Sequence, residues 1–239
     1  PWSQREQYVK NIGVVFGQKS QFGSWDLPAM DMFYFLRDIY EIPSDEFERR
    51  AKHMIKMLAV EEVVKRQVRT LSLGERMRCE LIAALLHNPK LVFLDEPTIG
   101  VDLIAKDIIH KFILEQNMEF GTTFIITTHD MGDIEKLCKR VVVINHGEIV
   151  YDGLLASLKN RFAKARYLEI KLSEPQARLE CSGCKVTKKN DYEFVISVGS
   201  GNVHQIHKII SKLFDNYKIA DIIISNPPIE SVIKGIYKT

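Results

Sequence analysis

Two unbroken apolar runs, Leu91-Val92-Phe93-Leu94 and Phe124-Ile125-Ile126-Thr127, constrain this chain more than any other feature. Neither alternates polar with apolar, so both are expected as strands of a parallel sheet buried on both faces. Parallel neighbours need a crossover, and Ala105 to Phe120 is long enough to supply a helix, which makes the stretch a βαβ unit. Open α/β sheets collect ligands beyond the carboxyl ends of their strands. Here those ends carry Asp95 and Glu96 after the first run and His129 after the second. Adjacent carboxylates can divide their duties, one binding a hard cation while the next faces a nucleophilic water. A neutral imidazole beside them can hydrogen-bond a phosphate oxygen or that water. Each feature has a plainer reading alone: a helix cap followed by a surface acid, and a structural histidine. Their conjunction points to a nucleotide site.

Upstream, Ile12 to Phe16 reads as a short strand feeding the polar loop Gly17-Gln18-Lys19-Ser20. Met30, Met32, Phe33, Phe35, Leu36, Ile39 and Tyr40 then recur near helical spacing, and Ser44 is expected to cap a second helix with Phe47, Ala51, Ile55 and Leu58 on one face. Glu75 to His87 is again helical, and Leu71-Ser72-Leu73-Gly74-Glu75 leads into it. A small hydroxyl and a glycine at a helix start leave backbone N–H groups facing outward with the dipole behind them, which suits a phosphate. The alternative is a plain capping box, with Ser72 bonding the Glu75 amide. Val141 to Ile144 and Ile149 to Tyr151, around Asn145-His146-Gly147-Glu148, read as a hairpin. Past about Ser157 two alternating strands, an amphipathic helix, a strand over Ile219 to Ile224 and a last helix over Ile229 to Tyr237 indicate a small α+β domain.

At this point the residues are similar to a known family. Leu71 to Glu75 resembles the signature sequence of ATP-binding-cassette (ABC) ATPases, with Leu73 and Glu75 standing for the commoner glycine and glutamine. Leu91 to Thr98 resembles their Walker B strand, Gly100-Val101-Asp102 the D-loop, His129 the switch histidine, and Gln18, in preference to Gln21, the Q-loop glutamine. The resemblance implies that Asp95 and Gln18 hold Mg²⁺, that Glu96 orients or deprotonates the attacking water, and that His129 contacts the γ-phosphate of ATP. It implies that Ser72, Leu73, Gly74 and Glu75 meet a nucleotide held by the opposite protomer, with Asp102 crossing the same homodimer interface. Catalysis would then be positioning plus electrostatic stabilisation of in-line transfer. An integral membrane permease is the implied partner, docked on the insert that carries Trp25, Phe33 and Phe35, although those aromatics can equally be core.

The expected fold is thus α/β: a partial P-loop NTPase-type parallel sheet with a helical subdomain over about residues 23–88, all within residues 1–155, plus a small C-terminal α+β accessory domain over 156–239. Residues past about 156, ending in Asn226-Pro227-Pro228, more distantly resemble the C-terminal extension of exporter-type members. One part is missing. Phosphoryl transfer of this kind uses G-x-x-x-x-G-K-[ST], and none of the 13 glycines begins that pattern. In the family the loop lies well upstream of the Q-loop, whereas 17 residues precede Gln18, so the sequence is expected to be a piece of a longer ATPase and inactive alone. Rival readings are a soluble cassette ATPase of translation or DNA maintenance, and a non-catalytic regulatory module that keeps the signature half of the site.

Composition narrows the partners. A hydrophobic fraction of 46% excludes pervasive disorder, and 33 basic against 31 acidic residues gives no reason to expect nucleic acid. No apolar run reaches membrane-spanning length and the start lacks a signal peptide, so attachment to the membrane is expected through a partner, with the chain cytoplasmic and peripheral on the inner face. Cys181 and Cys184 offer two zinc ligands without a second pair to complete a tetrahedral set, and a turn holding two thiols in a reducing compartment is the simpler expectation.

Overall fold

The computed structural model describes residues 5–17, 26–162, 165–181, 183–199, 203–225 and 233. The chain parts into two compact units, Pro1–Leu137 and Cys138–Thr239. In the first, a short helix α1 (Arg5–Val9) precedes β1 (Ile12–Phe16), and α2 (Ala29–Ile39), α3 (Ser44–Met57) and α4 (Leu73–Leu85) form the helical part. Then come β2 (Leu91–Asp95), α5 (Leu103–Phe120), β3 (Thr123–Thr127) and α6 (Met131–Leu137). The three strands are parallel in the order β1-β2-β3, so the βαβ reading holds.

Burial on both faces does not hold. Gly13, Val15, Val92, Leu94, Phe124 and Ile126 share one face by register and pack on α4 and α5. Contact is so close at Gly13 that a Cβ there would sit 2.4 Å from the Ala84 carbonyl oxygen. On the other face Phe16 and Ile125 are each 47% exposed, and Asp95, Thr123 and Thr127 are exposed as well. The strands therefore alternate in burial although the sequence does not. An apolar run shows that both faces tolerate burial and leaves open whether something covers each.

Local rules set the helix ends. Asp102 caps α5 by accepting from the amides of Ile104 and Ala105, each at 3.0 Å, and Gly121 closes it at φ 69°. Helix α3 begins at Ser44 with Pro43 at the cap position and no side-chain cap bond, one residue from the expected arrangement. Phe33 and Phe47 are fully buried in the core of this unit, whereas Phe35 is exposed, and Trp25 lies outside the described residues.

The second unit holds the predicted hairpin, β4 (Arg140–Asn145) with β5 (Glu148–Leu154), then α7 (Leu155–Phe162) and a four-stranded antiparallel sheet. That sheet has the order β7 (Lys185–Lys188), β8 (Glu193–Gly199), β6 (Ala165–Leu172), β9 (Ile219–Ser225). Helix α8 (Val203–Asn216) contributes Ile209 and Leu213 to its core with Leu168, Phe194 and Ile196. The hairpin, grouped with the first domain on sequence grounds, packs in this unit. Cys181 and Cys184 are joined as a disulfide, with Cα atoms 5.5 Å apart, rather than standing as two thiols. The expected last helix lies outside the described residues except for Ile233.

Candidate functional site

Strand register brings the predicted acids and the histidine together. Asp95 ends β2 opposite Thr127 at the end of β3, and the Thr127 hydroxyl donates to the Asp95 carboxylate. One residue on, Glu96 donates its amide to the Thr127 carbonyl at 2.9 Å and takes φ 50°. That left-handed backbone costs a side-chain-bearing residue about 1–3 kcal/mol, and such strain concentrates at functional sites. It turns the chain off the strand, and Glu96 Oε1 accepts from both the His129 amide (3.1 Å) and His129 Nδ1–H (2.8 Å). The imidazole remains mostly exposed, with 73% of its side chain accessible.

The hydrogen bond that His129 donates to Glu96, together with the negative charge of Glu96, holds the His129 pKa above the ordinary imidazole value. A raised folded-state pKa means that the pair contributes stability fully below the unfolded imidazole's pKa and loses it as pH rises through the folded value. In an NMR titration His129 should therefore have a midpoint above that of an ordinary histidine, and Glu96→Gln should bring it down. An unchanged midpoint in that variant would separate the two side chains in solution.

Gln18 lies outside the described residues, but its predecessor is informative. Gly17 donates its amide to the Asp95 carbonyl at 2.7 Å, so the chain leading to Gln18 starts against the acid pair.

Leu73, Gly74 and Asp102 form a second grouping. A Cβ on Gly74 would lie 3.2 Å from Ala105 Cβ and 3.6 Å from Asp102 Oδ2, and one on Gly100 would lie 2.9 Å from Leu73 Cδ2. Gly74 is buried there, and the start of α4 rests on the start of α5. Ser72 and Glu75 make the full capping box: Ser72 Oγ accepts from the Glu75 amide at 3.2 Å, and Glu75 Oε2 accepts from the Ser72 amide at 2.8 Å. That backbone bond, more than the nearby Arg66, lowers the Glu75 pKa. The plainer of the two readings of this helix start is thus present, with Ser72 itself exposed.

Sequence reasoning missed what lies behind the pair. Asp133, fully buried, accepts from the Thr98 hydroxyl, from Thr128 Oγ1 (3.2 Å), from His110 Nε2 (2.8 Å) and from Lys106 Nζ (2.9 Å). Thr98 follows Glu96 by two residues and Thr128 precedes His129, so one carboxylate anchors both loops. The spacing of His129-Asp130 and Asp133 around a helix start was the available signal, since Asp130 also accepts from the amides of Gly132 and Asp133.

Asp95, Thr127 and Glu96 offer oxygen donors at an exposed edge, the donor set that suits a hard divalent cation keeping much of its water. The arrangement can hold such a cation beside a carboxylate and an imidazole. It offers no lysine cradle for a β-phosphate among the described residues, because Lys106 is committed to Asp130 (2.6 Å) and Asp133.

The family described as "ABC transporter" matches residues 2–99. Over 156 residues the chain is 30% identical to the ABC transporter ATP-binding protein NatA of Bacillus subtilis (strain 168), covering 65% of this chain and 62% of NatA. Over these stretches the chain is similar to the ATP-binding subunits of ABC transporters. The linearmycin resistance ATP-binding protein LnrL of the same organism is 31% identical, over 69% of this chain and 52% of LnrL. The chain thus spans between half and two thirds of these relatives. Among solved structures, cbiO1 from Clostridium perfringens, part of the ABC transporter complex cbiONQ, shares the fold with a TM-score of 0.56 at 24% identity, over 67% of this chain and 66% of that one. The ATP-binding cassette MJ0796, in a dimeric post-hydrolysis state bound to ADP and Pi, gives 0.54 at 26% identity, over 64% and 66%. Among the described residues no helix is long and apolar enough to cross a membrane.

Proposed function

We propose that this chain is part of the ATP-hydrolysing subunit of an exporter-type ABC transporter, working as a head-to-tail homodimer under a membrane-spanning permease on the inner face of the cell membrane. The observation that carries the reading is the Glu96–His129 pair at neighbouring strand ends, beside Asp95. Asp95 and Gln18 would hold a magnesium ion, which would neutralise charge on the phosphate oxygens. Glu96 orients the attacking water and takes its proton, and His129 steadies the γ-phosphate with its exposed imidazole. Ser72, Leu73, Gly74 and Glu75 face the partner protomer's nucleotide and Asp102 meets the partner, so the capping bond of Ser72 opens or is shared when the phosphate arrives. On α2, Phe35 (58% exposed) and Ile39 (53%) supply an apolar surface for the permease. Residues 1–155 carry the ATPase machinery and 156–239 an accessory domain.

The phosphate-cradling loop, in this reading, lies on a segment outside these 239 residues. The exposed apolar row of Phe16 and Ile125 supports that, since a covering element would bury it. The chain alone is expected to bind Mg-ATP weakly and to show no turnover. A longer gene product carrying the loop should hydrolyse it and lose about 10²–10⁴-fold in rate on Glu96→Gln, the usual contribution of a positioned base. Turnover by the 239-residue chain itself, lost on Glu96→Gln, would refute the division of the site. A longer product that never hydrolyses ATP would favour the regulatory module.

A further inference from the structure

Away from this site, α3 and α5 place a second cluster of chemistry-bearing side chains together. His53 on α3 faces Glu115 and Glu119 on α5, and one ligand atom from each lies within 4.8 Å of the other two. His53 Nε2 stands 3.6 Å from Glu115 Oε1, and the ring is tilted at 60° against Phe120, 6.1 Å between centroids.

The acids are badly placed for an unliganded helix. Glu115 and Glu119 are four residues apart on one face, where like charges repel. They also lie toward the carboxyl end of α5, whose dipole disfavours anions, and the last turn contains no basic residue. An independent observation points to a ligand. His53 borders a cleft of about 260 Å³, and the same cleft is lined by Gln116, which is only 5% exposed and whose Nε2 has no hydrogen-bond partner. A buried amide without a partner costs about 1–3 kcal/mol, so it is retained where something else satisfies it.

We propose that His53, Glu115 and Glu119 form a binding site for a first-row divalent cation, zinc by donor set. One imidazole and two carboxylates are ordinary zinc ligands, and three protein ligands leave a fourth position for water or a small anion. His53 belongs both to this cluster and to the lining of the neighbouring cleft. Bound metal staples α3 of the helical part to α5, the helix that Asp102 caps. The inference does not depend on the proposed ATPase role.

The test uses the full 239-residue chain, stripped with a chelator and kept with its Cys181–Cys184 disulfide intact. Zinc titrated calorimetrically should bind with one-to-one stoichiometry and raise the melting temperature, as mass action requires of a ligand that binds only the folded state. His53→Asn and Glu119→Gln change half-exposed or exposed side chains, so each should fold normally, weaken zinc binding at least ~10-fold and abolish the thermal shift. Cobalt substituted for zinc should give visible bands without a thiolate charge-transfer band. Absence of saturable binding overturns the proposal. So does binding that survives both substitutions or shows the thiolate band, which would place the metal on the cysteines.

Discussion

Asp133→Ala should unfold this protein more readily than any surface change, by about 3–5 kcal/mol, the usual cost of removing one member of a buried charged pair. The carboxylate is fully buried and receives four donors from three segments: Thr98, Lys106 with His110, and Thr128. Truncation leaves His110, 3% exposed and already lacking a partner at Nδ1, without its remaining bond. Lys106 keeps Asp130, which places the cost toward the lower end of that range. Asp133→Asn retains the shape but turns an amide toward one of the donors, and should cost less. Burial pushes the Asp133 pKa up, yet the bonds from Thr98, Lys106 and His110 outweigh it and hold the group below the usual carboxylate value. A depressed folded-state pKa gives stability that is present above the unfolded carboxyl pKa and lost as pH falls through the folded one. Urea midpoints measured from neutral to acid pH should therefore fall in the native chain and fall less steeply in Asp133→Ala. Because Thr98 and Thr128 flank the Glu96–His129 pair, the same substitution should also move the His129 titration midpoint toward the ordinary imidazole value. A substitution that costs under about 1 kcal/mol at neutral pH would show that the four bonds are not jointly formed in solution.

That network explains why the sequence reveals one layer of the site and hides the next. Asp95, Glu96 and His129 are legible because each directly follows an apolar strand, and parallel pairing then makes them neighbours. Asp133 and its donors are spread from residue 98 to 133 over a loop, a long helix and a helix start, and no periodicity connects them. Ser72 and Glu75 were legible as either a phosphate-facing helix start or a capping box, since the same atoms serve both. The structure shows the box, and a ligand would have to compete with it. Faces of the sheet are the clearest failure. Ile125 is apolar and 47% exposed, because hydrophobicity along a strand records what a position tolerates and not whether an element covers it. Gly17 shows the opposite limit: a glycine after a strand reads as a turn, and only coordinates reveal why it must be glycine.

Gly17→Ala should cost about 1–3 kcal/mol, the range for forcing extra atoms into a packed site. Its Cβ would lie 2.3 Å from the Glu96 carbonyl oxygen and 2.6 Å from that of Asp95. Both are main-chain atoms held by neighbouring bonds: the Asp95 carbonyl accepts from Gly17 itself, and the Glu96 carbonyl accepts from the Ile99 amide at 3.2 Å. No flexible side-chain end can move aside, so relief requires the ends of β1 and β2 to part. The displaced residue is then Glu96, already in a left-handed backbone, and its bonds to His129 should weaken together with the Gly17 amide bond. Gly121→Ala supplies the contrast. Gly121 has φ 69° and nothing within 4 Å of its added Cβ, so that substitution strains the end of α5 by about 1 kcal/mol without touching the acid pair. Denaturation should show both variants weakened, while the His129 titration should move in Gly17→Ala and stay in place in Gly121→Ala. If it moves in neither, the close approach of the two strand ends does not set the geometry of the pair.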